Sequence, residues 1–386
     1  MRITRQRRQA PGATQDRQQS VKARPAAKRL DTPHEPHPVW QTMSASEQPI
    51  RLGVIGFGQW GPNHVRNLDH IAGCRVVRVC DAREERLELA RQWHRGLETT
   101  TDSARITEAD DIDAVVIATP VDTHRDFVTA ALNAGKDVLC EKPLAATVAE
   151  SRQLAQLAAA AHRILMVGHV FLYNSAVRHL KADLEAGHLG ELHYLDAVRT
   201  NLGPVRSDVG AIHDLASHDI SIFNHLLGSL PLQVSATAGS YLQPGIEDIG
   251  FLTLVYPDNI ICHVHTSWLN PRKVRQLTLV GNQRMAVWDD MNNLEPIRYY
   301  DKGVMADHYR SFGEFHMVLR DGAITIPKVR LTEPLLQQDE AFIAAIRTRT
   351  PPAADAAFAL GVVQVLEAAR ASLADRGRAV DLDPSA

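Results

Sequence analysis

From residue 50 to residue 167, short apolar runs alternate with longer stretches in which apolar residues recur at helical spacing. The apolar runs are bounded by turn residues and are typical of buried strands, and the stretches between them are typical of surface helices. Strands that alternate with helices in this way predict βαβ units and a parallel sheet. We therefore predict an α/β, doubly wound (Rossmann) dinucleotide-binding domain over residues 49–170.

The pattern changes character after Gly168. Helices are predicted at residues 175–186 and 214–227, and the strand-like runs fall at residues 192–202, 233–242, 249–256, 260–268, 274–280 and 285–288. Strands that follow one another without long helices predict an antiparallel sheet. Residues 171–386 are therefore predicted to form an α+β domain with a large, mainly antiparallel open sheet. Helices at 333–347 and 354–374 end the pattern, and the terminal helix is expected to pack back on the first domain.

Composition narrows the class of protein. The chain has 386 residues, of which 45% are hydrophobic and 23% charged, so it is long enough for two cores. The net charge of −3 gives no field that favours nucleic acid, and no uninterrupted apolar run reaches membrane-spanning length. Four cysteines without metal or redox spacing predict reduced thiols in a cytoplasmic protein. Residues 1–48, rich in Arg and Gln, are predicted to be a disordered basic extension.

A glycine-rich turn follows the first predicted strand and opens the first predicted helix. Three positions without a side chain let the backbone approach a pyrophosphate, and the helix N-terminus supplies N–H donors. Pro62 fits the first helical turn because its missing N–H has no partner there. A dinucleotide cofactor is therefore predicted. Its candidate ligands in this turn are Gly56, Phe57, Gly58, Gln59, Trp60 and Gly61.

The second predicted strand ends on Asp81, at the distance from the glycines that the dinucleotide fingerprint requires. A carboxylate here accepts hydrogen bonds from the ribose hydroxyls and repels a 2′-phosphate, so NAD is favoured over NADP. Arg83, two residues further on, softens that preference. An alternative for Asp81 is a cap of the next helix.

Two further turns fall at the carboxyl edge of the predicted parallel sheet, where ligands bind in open α/β folds. The first contains Thr119, Pro120 and His124, and the second contains Glu141 and Lys142. A Glu-Lys pair directly after a buried strand is unusual, although a solvated loop would explain it. All five residues are candidate cofactor ligands.

These motifs together resemble the Gfo/Idh/MocA oxidoreductase family, over the chain from about residue 50 to the C-terminus. The resemblance implies that Lys142 lies between nicotinamide and substrate and hydrogen-bonds the hydroxyl being oxidised, with a cis bond before Pro143. It also implies that residues 171–386 are the substrate-binding and oligomerisation domain, which binds a small molecule and pairs through the exposed face of its sheet, hence a homodimer or homotetramer.

Asp214 and His218 are four residues apart, so on a helix they would share one face. The carboxylate would then hold the imidazole in one tautomer, as a general base requires. The spacing is similar to the family's Gly-x-x-x-Asp-x-x-x-His element, here beginning at Gly210. We therefore expect Lys142, Asp214 and His218 to be catalytic. His213 has no assigned role.

The substrate is expected to be a sugar, and the resemblance is greatest to dehydrogenases that act at the 3-position of nucleotide-linked sugars such as UDP-N-acetylglucosamine. Expected substrate ligands are His169, Tyr173, Asn174, Arg206 and Asp208. Arg206 would suit a phosphate or a carboxylate of the substrate. The alternative for Arg206 is an ion pair on the protein surface. Alternatives are a free inositol or sugar dehydrogenase, a glycosidase that uses NAD transiently, and a non-catalytic sugar sensor.

A metal site is not expected. His263 and His265 alternate on a predicted strand and could in principle join His213 and His218. No second element supports such a cluster, and members of the resembled family need no metal.

Overall fold

Two sheets, each with helices against it, organise the computed structural model. It describes residues 48–94, 96–307 and 316–382, with backbone alone at 304–307 and 316–318. The predicted N-terminal extension therefore lies outside the described residues, apart from its last position.

The first sheet is parallel and has six strands in the order β3-β2-β1-β4-β5-β6. Its elements, in chain order, are β1 (Ile50–Ile55), α1 (Gly61–Leu68), β2 (Cys74–Cys80), α2 (Glu84–Trp93), β3 (Glu98–Thr100), α3 (Ala104–Thr107), β4 (Ala114–Ile117), α4 (His124–Asn133), β5 (Asp137–Cys140), α5 (Val148–Ala160) and β6 (Leu165–Val167). The central strands β4 and β5 are buried throughout because helices cover both faces of the sheet. The predicted Rossmann domain is confirmed, with β3 and α3 as additional short elements.

The second sheet has nine strands in the order β14-β13-β12-β11-β7-β10-β9-β8-β15. Its elements are α6 (Ser175–Glu185), β7 (Leu192–Leu202), α7 (Ser217–Leu227), β8 (Gln233–Gly239), β9 (Ile249–Val255), β10 (Ile261–Ser267), β11 (Leu269–Gly281), β12 (Met285–Asp289), β13 (Ile297–Asp307), β14 (His316–Thr325), α8 (Pro334–Thr348), α9 (Ala356–Ala374) and β15 (Val380–Asp381). β10 pairs with β7 in parallel and all other neighbours are antiparallel. The mainly antiparallel α+β domain is confirmed, and β13, β14 and β15 extend it beyond the prediction.

The two C-terminal helices join the domains. Phe342 of α8 is fully buried in the core beneath β1, together with Val54 and Leu68. α9 packs on α5 on one side and on β8 on the other. By length and composition α9 could span a membrane, contrary to the expectation from the apolar runs, but more than half of it is buried inside the protein. The cleft between the domains is therefore bordered by C-terminal residues.

Candidate functional site

The glycine turn between β1 and α1 combines two tight positions with one open one. Gly56 has φ +95°, and a Cβ there would lie 2.5 Å from the carbonyl oxygen of Ala118. A Cβ on Gly61 would lie 2.0 Å from the carbonyl oxygen of Gly56. A Cβ on Gly58 would meet no atom within 4 Å. The open side of Gly58, next to the N-terminus of α1, fits a pyrophosphate.

Asp81 is buried at the end of β2 and faces this turn. Its Oδ2 accepts from the backbone N–H of Phe57 at 2.7 Å, and its Oδ1 accepts from that of Arg83 at 2.9 Å. The Arg83 Nε lies 3.5 Å from the same carboxylate. The remaining lone pairs of Asp81 suit ribose hydroxyls, and Gln59, Trp60 and Arg83 line the adjacent cleft.

The turn after β4 contributes Thr119 and Pro120 to the cleft. His124 is different, because it is buried and does not line the cleft. Its Nδ1 lies 2.9 Å from the carbonyl oxygen of Pro143 and its Nε2 lies 3.0 Å from that of Thr119. His124 therefore links the two cofactor-side turns, and its ring has no nitrogen left for the cofactor ligand role expected from the sequence.

A row of buried charged side chains supports the turn after β5. Glu141 accepts from the backbone N–H of Lys142 and lies 3.1 Å from His64 Nε2, while His64 Nδ1 lies 2.8 Å from Asp339. Burial alone would lower the pKa of His64, but the carboxylates of Asp339 and Glu141 outweigh it and raise that pKa to about 10. The peptide bond before Pro143 is cis, as the resemblance implies.

Lys142 reaches across to the second domain. Its Nζ donates to the backbone carbonyl of Asp214 at 3.0 Å and lies 3.4 Å from the Asp214 carboxylate. Both side chains are mostly buried. This contact brings the two expected catalytic segments to one cleft, which His218 also lines.

The expected pairing of Asp214 with His218 is wrong. Residues Ile212–Ala216 form a π-helical turn in place of the regular α-helix that the spacing assumed, and no hydrogen bond joins the Asp214 carboxylate to His218. Asp214 pairs with Lys142 and Arg206 instead, and His218 Nδ1 is buried without a partner among the described residues.

His218 contacts the edge of Phe171, with ring centroids 5.0 Å apart. Burial lowers the pKa of His218 well below its usual value, and the charges of Lys142 and Arg199 lower it further. The imidazole is therefore neutral at physiological pH, which is the form that accepts a proton.

Of the expected substrate ligands His169, Tyr173 and Asn174, only Asn174 lines the cleft. Its Oδ1 caps α6 at Ala176, and its Nδ2 donates to Asp290 at 3.3 Å. Tyr173 and His169 are buried outside the cleft lining, so their expected role as substrate ligands is not supported by their positions. Burial lowers the pKa of His169 to about 3 and raises that of Tyr173 to about 12.

Arg206 and Asp208 both line the cleft, but they pair with each other at 2.6 Å. Arg206 also lies 3.5 Å from Asp214. Its charge is thus compensated by the protein.

Several charged cleft residues were missed from the sequence. Arg199 forms a buried bidentate pair with Asp219, at 2.8 and 2.9 Å, and Arg275 lies 3.4 Å from Asp290. The inward position of Arg199 could have been predicted from the sequence, since Arg199 falls on the same face of its strand as the core residue Leu195. Arg370 is one of two charged residues in the mainly apolar α9, and it contacts His213.

The four histidines considered for a metal do not assemble. His263 and His265 lie on the sheet face opposite the core, where His263 contacts Asp196 and His265 stacks on Phe251. Across residues 48–94, 96–307 and 316–382, no group of three potential ligands forms a cation site.

The cleft has a volume of about 1380 Å³, larger than the usual small-molecule pocket and sufficient for a dinucleotide beside a sugar. A glycine turn with a ribose-side carboxylate, facing a lysine and a neutral histidine, defines a dinucleotide-dependent oxidoreductase. The NAD-binding Rossmann fold of the Gfo/Idh/MocA oxidoreductase family matches residues 50–169, and that family's C-terminal domain matches residues 177–287. The chain belongs to this family.

Relatives support the assignment. An inositol 2-dehydrogenase of Paenarthrobacter aurescens is 34% identical over 55% of this chain and 67% of its own length. An inositol 2-dehydrogenase of Rhizobium meliloti is 27% identical over 85% of this chain and 98% of its own. Other matched relatives are covered over only about half of their length. The solved UDP-N-acetylglucosamine 3-dehydrogenase of Acidithiobacillus ferrooxidans has a TM-score of 0.71 at 24% identity, covering 84% of this chain and 97% of that one, and shares the fold.

Proposed function

We propose that this chain is an NAD-dependent dehydrogenase that oxidises a hydroxyl-bearing carbon of a sugar or polyol. The observation that carries the proposal is the contact between Lys142 Nζ and Asp214 across the cleft, beside the neutral imidazole of His218. A lysine and a proton acceptor from opposite domains can grip one small alcohol between them.

Bound NAD would supply the hydride acceptor. His218 accepts the hydroxyl proton, because its low pKa keeps the ring unprotonated. Lys142 donates a hydrogen bond to the same oxygen and stabilises negative charge that develops there. Asp214 positions Lys142. This role takes the place of the orientation of His218 that the spacing had suggested for Asp214.

Lys142→Ala and His218→Ala should each lower kcat by about 100-fold or more, because each removes a group that acts on the transferred proton or oxygen. The absorbance of NADH formed in a substrate screen measures turnover, and calorimetric titration measures NAD binding. NAD binding should persist in both variants, since the glycine turn and Asp81, which hold the rest of the cofactor, are unchanged. Near-normal turnover in both variants would refute the proposal.

The substrate is proposed to be a nucleotide-linked sugar or a free inositol. The residue pattern around Asn174 and Arg206 supports the first, and the named relatives of 27–34% identity support the second. A screen of nucleotide sugars and free polyols, followed by NADH absorbance, separates them. A glycosidase would release a sugar without net NADH, and a sensor would bind sugar without turnover.

We propose NAD as the preferred cofactor because Asp81 faces the ribose side of the turn. Asp81→Asn should raise the KM for NAD by on the order of tenfold. The variant should also prefer NAD over NADP less strongly, since it loses the charge that repels a 2′-phosphate. Initial rates with both cofactors measure the ratio. An unchanged NAD-to-NADP ratio would count against this role for Asp81.

The assembly proposed is a homodimer or homotetramer without nucleic-acid or membrane partners, in the cytoplasm. Support comes from exposed apolar side chains on the outer face of the second sheet, among them Tyr194, Phe251 and Ile261. Four free thiols are consistent with a reducing compartment.

A further inference from the structure

His213 and Arg370 make a contact in the cleft that the proposed hydride transfer does not use. His213 belongs to the π-helical turn directly before Asp214, and Arg370 belongs to the last turns of α9. The guanidinium Nη2 of Arg370 lies 3.0 Å from His213 Nε2, and both residues line the cleft that contains Lys142.

This contact determines which ring nitrogen of His213 carries the proton. A guanidinium can only donate hydrogen bonds, so Nε2 must accept and the neutral ring is protonated at Nδ1. Burial lowers the pKa of His213 to about 4, and the charges of Arg370 and Lys142 contribute to the shift. In the described ranges no protein group accepts a hydrogen bond from Nδ1. His213 therefore has an N–H donor available for a ligand.

Arg370 also differs from most other cations of the cleft in its ion-pair partners. Most cleft cations have a carboxylate within 4.0 Å, namely Lys142, Arg83, Arg199, Arg206 and Arg275. Arg370 has no such partner in the part of the chain that the structure describes. Glu367, one turn earlier on α9, accepts instead from the backbone N–H of Val148. Lys273 also lacks a carboxylate partner there, but it makes no hydrogen bond to a residue of the site.

We propose that Arg370 and His213 form a subsite for an anionic group on the substrate, a carboxylate or a phosphate. The inference rests on the proposed dehydrogenase function and narrows its substrate to an acidic sugar. The guanidinium keeps donors beyond the one given to His213, and its planar fork matches the oxygens of either anion. The neutral His213 adds a donor without repelling Arg370.

The test compares three substrates on the full chain with NAD, namely myo-inositol, glucuronate and UDP-N-acetylglucosamine. These represent a neutral polyol, a carboxylate and a phosphate. The variants are Arg370→Gln, Arg370→Lys and His213→Leu, and Arg378→Gln removes an exposed arginine outside the cleft as the matched control.

The wild type should have a higher kcat/KM for one of the two anions than for myo-inositol. Arg370→Gln should lower that preference by on the order of tenfold, mainly through KM, because one charged hydrogen bond is lost. Arg370→Lys should restore part of it, His213→Leu should lower it, and Arg378→Gln should leave it unchanged.

A wild type that prefers myo-inositol, or an Arg370→Gln variant that loses all three substrates equally, would overturn the subsite. If no substrate is turned over, the proposed function fails, and the subsite is judged by calorimetric binding of the two anions in the presence of NADH. Binding weakened by Arg370→Gln supports the subsite, and equal or absent binding overturns it.

Discussion

At the scale of single residues, His218 is surrounded by cationic groups rather than by the carboxylate expected from its spacing. Lys142, Arg199 and Arg275 all act in the same direction as burial and disfavour the imidazolium. The ring needs no neighbouring aspartate to stay neutral, because its environment already excludes the added charge.

This environment predicts the acid limb of the pH–rate profile. A base whose pKa is lowered is active above that value and is lost as pH falls through it. The kcat/KM should therefore stay near its maximum as the pH falls through the ordinary pKa of a histidine, and should fall only at lower pH. Initial rates across pH, with unfolding checked at each point, measure it. An acid limb with its midpoint at or above the ordinary histidine pKa would contradict the prediction.

At the scale of elements, local periodicity was sufficient for the parallel sheet and for the turns at its edge. Lys142 and Asp81 follow strands whose apolar character is visible in sequence, so their placement was predictable. The π-helical turn was not, since its extra residue leaves no mark in the apolar spacing. β13 and β14 were missed because their sequences mix polar and apolar residues without a regular alternation.

The glycine turn gives a matched pair of substitutions. Gly58→Ala should leave stability unchanged but weaken NAD binding by on the order of tenfold, because its Cβ enters open space on the cofactor side. Gly56→Ala should destabilise the fold by roughly 1–2 kcal/mol or more, since φ is +95° and the Cβ meets a carbonyl. Thermal unfolding and NAD titration separate the effects. Unaltered NAD affinity in Gly58→Ala would place the pyrophosphate elsewhere.

At the scale of the whole molecule, contacts between distant segments escaped prediction. Arg370 and His213 are 157 positions apart, and only the packing of α9 across both domains brings them together. The same holds for Asp339 and His64, which meet through α8.

The outer sheet face predicts the assembly. Light scattering should give a multiple of the 42.6 kDa chain mass, and Phe251→Glu should shift it toward the monomer by placing a charge in the buried interface. Leu294→Glu, which changes a still more exposed apolar side chain outside the strands, is the control. A wild-type monomer at micromolar concentration would show that this face is not an interface.

The ammonium of Lys142 is anchored by backbone to one lobe and by hydrogen bond to the other. Opening the lobes to admit or release a ligand must therefore break that bond and free the amine before the alcohol arrives. In such an arrangement the amine is positioned for the reaction only when the cleft is closed, so an open molecule would be inactive.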